Sequence, residues 1–117
     1  MSLALVDIIC ETGDQRPPFA RYNGRQDAII LKIREGICRE EPCRLSDDLF
    51  FLTDGQVVGL VLLRARQYCA RHCLDENTGG VRLYALQWYL GATISGIKET
   101  VEKLYREFDP DTFIVFA

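Results

Sequence analysis

Hydrophobic and polar positions are most regular in the last third of the chain. Over Val81–Leu90 apolar and aromatic side chains fall on both alternating faces, which predicts a strand covered on both sides. The turn 91–96 is rich in glycine and hydroxyl residues, and the helical spacing of the apolar residues after it predicts an amphipathic helix over about 96–108. Pro110 ends this helix. The apolar run 112–117 predicts a second strand, parallel to the first across a right-handed crossover.

One alternative for this stretch is a single continuous helix. Apolar residues recur every three or four positions, at Leu83, Leu86, Leu90, Ile94, Ile97, Val101, Leu104 and Phe108. Gly91 and Gly96 would each cost roughly 1 kcal/mol inside such a helix. We therefore favour strand, turn and helix over one long helix.

The middle of the chain predicts a buried helix. Thr53 and Gln56 have the spacing of a capping box, and Val57–Leu63 is apolar around nearly the whole circumference of a helix. From Arg64 onward the same segment becomes polar. We predict a central helix over about 55–74 that packs on several sides.

Two earlier segments are compatible with either helix or strand. Asn23 and Gln26 fit a helix start and predict a helix over about Arg25–Cys38, although the isoleucines of Ala28–Ile33 favour a strand. Similarly, the sequence after Ser46 predicts either a short helix or a brief strand at 49–52.

These elements predict an α+β fold in a single domain, 1–117. A small sheet of about three to four strands combines an N-terminal strand at Leu3–Ile9, the segment 81–89 and the C-terminal strand, and three to four helices pack on it. With 117 residues and 48% hydrophobic content, the chain can form one core without disulfides or metal.

Charge and hydropathy narrow the classes of partner. A net charge of −3 argues against a protein held mainly by nucleic-acid phosphates, so we expect no nucleic-acid partner; the basic and aromatic residues of Arg16–Arg34 are the one feature in its favour. The sequence has no apolar run of 18 residues and its N-terminus lacks the pattern of a signal peptide. We expect a cytoplasmic protein with no membrane partner.

The leading functional hypothesis is an interaction surface. Tyr84, Trp88 and Tyr89 lie on a predicted strand that is too apolar for a small monomer, and aromatic residues are typical of interface cores. No catalytic motif in the sequence rises above a weak signal. We therefore predict a non-enzymatic protein–protein interaction or regulatory module that works as a homodimer or within a complex.

The turn 91–96 supports a second hypothesis. Thr93, Ser95 and Gly96 precede a predicted helix, whose unpaired backbone N–H groups can bind an anion with help from Arg82. This arrangement predicts a small-ligand or anion-binding protein, which could include an enzyme. The pattern matches neither a dinucleotide-binding fingerprint nor a P-loop, and simple helix capping explains the same residues.

The cysteines support a third hypothesis. Cys38, Cys43, Cys69 and Cys73, or His72 in place of the last, can supply the four ligands of a zinc-stabilised domain. Five cysteines at irregular spacing indicate reduced thiols, and packing in the core is the role we favour for them. Apart from this zinc alternative, no cofactor is expected.

Overall fold

The computed structural model describes residues 16–34, 41–76 and 79–117. Within these ranges the chain forms eight strands and three helices, arranged in two antiparallel sheets. The larger sheet contains β1 (Phe19–Asn23), β2 (Ala28–Lys32), β3 (Cys43–Arg44), β4 (Leu49–Thr53) and β5 (Val57–Leu63), in the order β1-β2-β5-β4-β3.

The smaller sheet has the order β6-β7-β8, with β6 (Asp75–Glu76), β7 (Gly80–Arg82) and β8 (Phe113–Val115). Helix α1 (Ala65–Arg71) connects the two sheets, and helices α2 (Leu83–Thr93) and α3 (Lys98–Tyr105) lie between β7 and β8. No helix in the described ranges is long and apolar enough to cross a membrane.

Both faces of the large sheet are apolar. Ile29, Leu31, Leu60 and Leu62 belong to the main core with the three helices, whereas their strand neighbours form a second cluster on the opposite face: Phe19, Ala28, Ile30, Phe50, Leu52, Val58 and Val61. This alternation follows from the two-residue period of a strand. It explains why the central strands β2, β4 and β5 are apolar at nearly every position.

The predicted central helix at 55–74 is wrong over its first half. Val57–Leu63 is β5, which pairs with β2 on one side and β4 on the other. A continuous run of apolar residues is compatible with a strand buried on both faces as well as with a buried helix. The valines in this run favour the strand. The helical part is confined to Ala65–Arg71.

Two of the predicted helix caps, at Asn23 and Ser46, lie in turns between strands. The side chain of Asn23 accepts the N–H groups of Arg25 and Gln26, at 3.0 and 3.3 Å, within the β1–β2 turn. The Ser46 hydroxyl likewise accepts the N–H of Leu49 at the start of β4. Such side-chain-to-backbone bonds form in turns as readily as at helix starts, so the strand alternative is correct for β2 and β4.

The C-terminal third also differs from the prediction. The predicted strand 81–89 is wrong beyond Arg82, because β7 is only Gly80–Arg82 and Leu83–Thr93 is helix α2. β8 pairs with β7 in the antiparallel sense, so the predicted parallel crossover is also wrong. The class α+β holds, but the small sheet of three to four strands is replaced by two sheets. The predicted amphipathic helix is confirmed at Lys98–Tyr105, and the predicted strand Leu3–Ile9 lies outside the described residues.

Candidate interaction surface on helices α2 and α3

Helices α2 and α3 form an antiparallel hairpin. Gly91, near the end of α2, lies against Lys98 at the start of α3, whereas Tyr84 lies beside Tyr105 near the end of α3. The inner faces of both helices are buried in the main core through Leu86, Leu90, Val101 and Leu104. This packing leaves the outer faces of both helices exposed along one side of the protein.

Two large aromatic side chains project from the outer face of α2. Tyr84 is 58% exposed and Trp88 is 66% exposed, and they lie four residues apart, hence on one side of the helix. Tyrosine and tryptophan are enriched at protein interfaces, because each combines a large apolar ring with a polar group that can stay hydrated. These residues mark the surface as the candidate site.

A groove follows the line between the two helices. Near Trp88 it forms a cavity of about 240 Å³ lined by Gln87, Gly91, Ala92, Lys98, Val101 and Glu102. Near Tyr84 it widens to about 430 Å³ beside Arg106, Phe108 and Pro110. Gln87 and Glu102 line both parts, so the two form one continuous depression, which we call the hairpin groove.

The two walls of the hairpin groove differ in chemistry. The α2 wall carries Tyr84 and Trp88, while the α3 wall carries Lys98, Glu102 and Arg106 at intervals of four residues, in the charge order plus, minus, plus. Each end of the groove therefore combines an aromatic ring with a cation. The three charged residues were not predicted from sequence, since their role depends on α2 being a helix beside them.

Tyr89 lies apart from the hairpin groove. Its hydroxyl forms a 2.7 Å hydrogen bond with Nδ1 of His72, and its ring lies 4.9 Å from the His72 ring and 6.1 Å from that of Tyr68. Consecutive residues on a helix point about 100° apart, which separates Tyr89 from Trp88. Burial, together with Tyr89, raises the pKa of Tyr68 to about 12. The contacts of this cluster hold α1 against α2.

The predicted anion-binding residues are not brought together. Thr93 ends α2, where its hydroxyl donates to the carbonyl of Tyr89, and Ser95 and Gly96 follow in the exposed link to α3. Arg82 precedes α2, so the 11 residues of the helix, roughly 16 Å, separate it from Thr93. Its guanidinium is paired with Glu76 at 3.3 Å.

The described cysteines occupy different environments. Cys43 and Cys73 are exposed, whereas Cys69 is fully buried in the main core, where burial raises the pKa of its thiol to about 12. Among the residues that the structure describes, no three His, Cys, Asp or Glu side chains are grouped as a metal site would require. Cys38 lies outside the described residues, so the zinc hypothesis stays a prediction.

The aromatic residues of the basic N-terminal region contribute to the core. Phe19 is buried, and the ring of Tyr22 packs edge-on against Phe116 with centroids 5.0 Å apart. Neither ring is placed to stack on a base.

Comparison with known proteins found no matching family, no similar curated protein and no similar solved structure.

Proposed function

We propose that this protein is an interaction module that self-associates through the hairpin groove. The observation that carries the proposal is the pair of exposed aromatic side chains, Tyr84 and Trp88, beside a line of charges on α3. Exposed aromatic residues in a groove between helices are typical of helix-mediated recognition.

The arrangement of charges favours a second copy of this chain as the partner. A two-fold axis parallel to the helices would lay α2 of one protomer over α3 of the other. Trp88 would then face Lys98 of the second copy, and Tyr84 would face its Arg106, with each contact made twice by symmetry. An aromatic ring attracts a cation by roughly 0.5–2 kcal/mol, depending on how far water is excluded.

The alternative two-fold axis, perpendicular to the helices, is disfavoured by the same residues. It would place α3 against its own copy in the antiparallel sense and bring Glu102 opposite Glu102. Like charges held face to face destabilise an interface. The proposed dimer is therefore a four-helix contact in which each aromatic wall covers a charged wall.

The single tryptophan makes this proposal directly testable. Trp88 is the only tryptophan of the chain, so tryptophan fluorescence, excited selectively over that of the five tyrosines, reports on the groove alone. Dilution from about 100 μM to about 0.1 μM, followed by emission spectra and analytical ultracentrifugation, is expected to show one transition from dimer to monomer. Burial of Trp88 shifts its emission to shorter wavelength in the dimer.

Two variants distinguish the groove from other apolar surfaces. Tyr84→Ala is expected to weaken the dimer by about 2 kcal/mol, roughly thirtyfold in Kd, as for an aromatic residue that contributes strongly to an interface. Val115→Ala is the matched control, because Val115 is 55% exposed but lies on β8, away from the groove. A protein that is monomeric at 100 μM, or a dimer equally weakened by both variants, would refute self-association through this surface.

A further inference from the structure

A second cleft lies on the other side of α3, between this helix and the large sheet. It has a volume of about 430 Å³, within the range of small-molecule sites. The sheet contributes Ile33 and Arg34, directly after β2, and Gln56 and Val57 at the start of β5. Helix α3 and the turn after it contribute the opposite wall, lined by Thr100, Lys103, Leu104, Arg106 and Glu107.

This cleft concentrates positive charge in an acidic protein. Arg34, Lys103 and Arg106 line it with Glu107 as the one carboxylate, so its formal charge is +2, whereas that of the whole chain is −3. In the described part of the chain, none of the three cations forms a salt bridge. Within the described residues, a ligand in the cleft would therefore meet three cations outside any ion pair and one carboxylate.

The guanidinium of Arg34 is held in position. The side-chain oxygen of Gln56 accepts hydrogen bonds from both terminal nitrogens of Arg34 once the amide is oriented to suit its neighbours. The backbone before it is also anchored, because the N–H of Ile33 donates to the carbonyl of Val58 at 2.9 Å and extends the β2–β5 pairing. A guanidinium held in this way loses less entropy when it binds an anion.

We propose that this cleft binds a small phosphate monoester that carries an apolar or planar body. A phosphate monoester bears close to two negative charges at pH 7, which matches the net +2 of the lining. Arg34 supplies the guanidinium N–H groups that Gln56 does not accept, and Lys103 supplies a point charge. Ile33, Val57 and Leu104 give the cleft an apolar floor on which the body of the ligand lies.

The cleft and the hairpin groove can be tested separately. Arg106 lies at the ridge between them and lines both, but Arg34 and Lys103 line the cleft alone. Substitution of Arg34 or Lys103 should therefore weaken phosphate binding without weakening the dimer. Neither proposal requires the other.

The test uses phenyl phosphate as the probe, with inorganic phosphate and phenol as its two halves, at constant ionic strength. Titrations followed by ¹H–¹⁵N NMR are expected to shift the amides of residues 33–34, 56–57 and 100–107, with phenyl phosphate binding at least about tenfold more tightly than either half. Arg34→Gln and Lys103→Gln are each expected to weaken phenyl phosphate about tenfold, as for loss of one charge-assisted hydrogen bond.

Arg71→Gln is the matched control, since Arg71 is an exposed cation on α1 outside the cleft. It is expected to leave the affinity unchanged. Three outcomes would overturn the proposal: equal weakening by Arg71→Gln, shifts confined to other parts of the protein, or phenyl phosphate binding no better than inorganic phosphate. Amide spectra of each variant, recorded without ligand, verify that the fold is intact.

Discussion

Asp27 connects the first hairpin to helix α1, and its replacement is the most informative test of the fold. Its carboxylate accepts the Tyr22 hydroxyl at 2.5 Å and the backbone N–H of Arg66 at 3.1 Å. The N-cap residue of α1, Arg64, has a left-handed conformation and provides no side-chain cap. Asp27, 37 positions before Arg64 in the chain, therefore supplies the cap that the local sequence lacks.

The expected cost of Asp27→Ala follows from three contributions. Loss of a helix cap costs about 1 kcal/mol, and loss of a hydrogen bond to a charged group costs about 1.5–3 kcal/mol. Asp27 also has a φ of 50°, where alanine is about 1 kcal/mol less favourable than asparagine or glycine. Because such contributions overlap, we expect about 3 kcal/mol for Ala, about 2 kcal/mol for Gly and about 1 kcal/mol for Asn.

Urea denaturation followed by circular dichroism measures these free energies of unfolding, and a double-mutant cycle with Tyr22→Phe isolates the hydrogen bond. We expect a coupling of about 1–2 kcal/mol between the two sites. Burial, then the hydrogen bond to Asp27, raises the pKa of Tyr22 to about 12. Ultraviolet titration of Asp27→Asn should therefore show this pKa lowered towards 10. Additive effects of the two substitutions, or an Asp27→Ala variant as stable as the wild type, would refute this account of the cap.

Three further predictions concern the core and the cysteines. Gly59→Ala is expected to lower the free energy of unfolding by about 2–3 kcal/mol, because the added methyl group would lie 2.4 Å from the carbonyl oxygen of Leu31 in the neighbouring strand. Urea denaturation measures this loss, and an unchanged midpoint would contradict the packing. The raised pKa of Cys69 contributes stability that is complete below about pH 9 and is lost as the pH rises to about 12. Cys69→Ala should therefore remove part of the fall in stability above pH 9, and an unaltered profile would contradict this. Peptide mapping after alkylation should label Cys43 and Cys73 well before Cys69.

The elements that sequence analysis predicted correctly are those whose signals are local. Helix α3 has one apolar stripe, a polar outer face and a proline beyond its end, and no other element satisfies that pattern equally well. Strand β8 is a short apolar run after a turn. For such segments the fold agrees with the local preference, so the sequence suffices.

The prediction failed where tertiary contacts decide between two satisfactory local structures. β5 is a strand because β2 and β4 pair with it on both edges, and its pairing with β2 joins residues far apart in sequence. The capping signals at Asn23 and Ser46 are also ambiguous, since the same hydrogen bonds close the turns that precede strands. The cap of α1 could not be predicted from the sequence near the helix, because it is supplied by Asp27 in the turn between β1 and β2.

The wrong strand prediction at helix α2 concerns the same aromatic residues on which the proposed function rests. Val81–Leu90 resembled a two-faced strand because apolar residues occur both at odd positions (Val81, Leu83 and Ala85) and at even positions (Tyr84, Leu86, Trp88 and Leu90). In the helix the three leucines are buried, while the two aromatic residues remain in water. A helix that only covered a core would carry polar residues there. The fold of one chain leaves this outer aromatic face in water, and the proposed dimer would bury it.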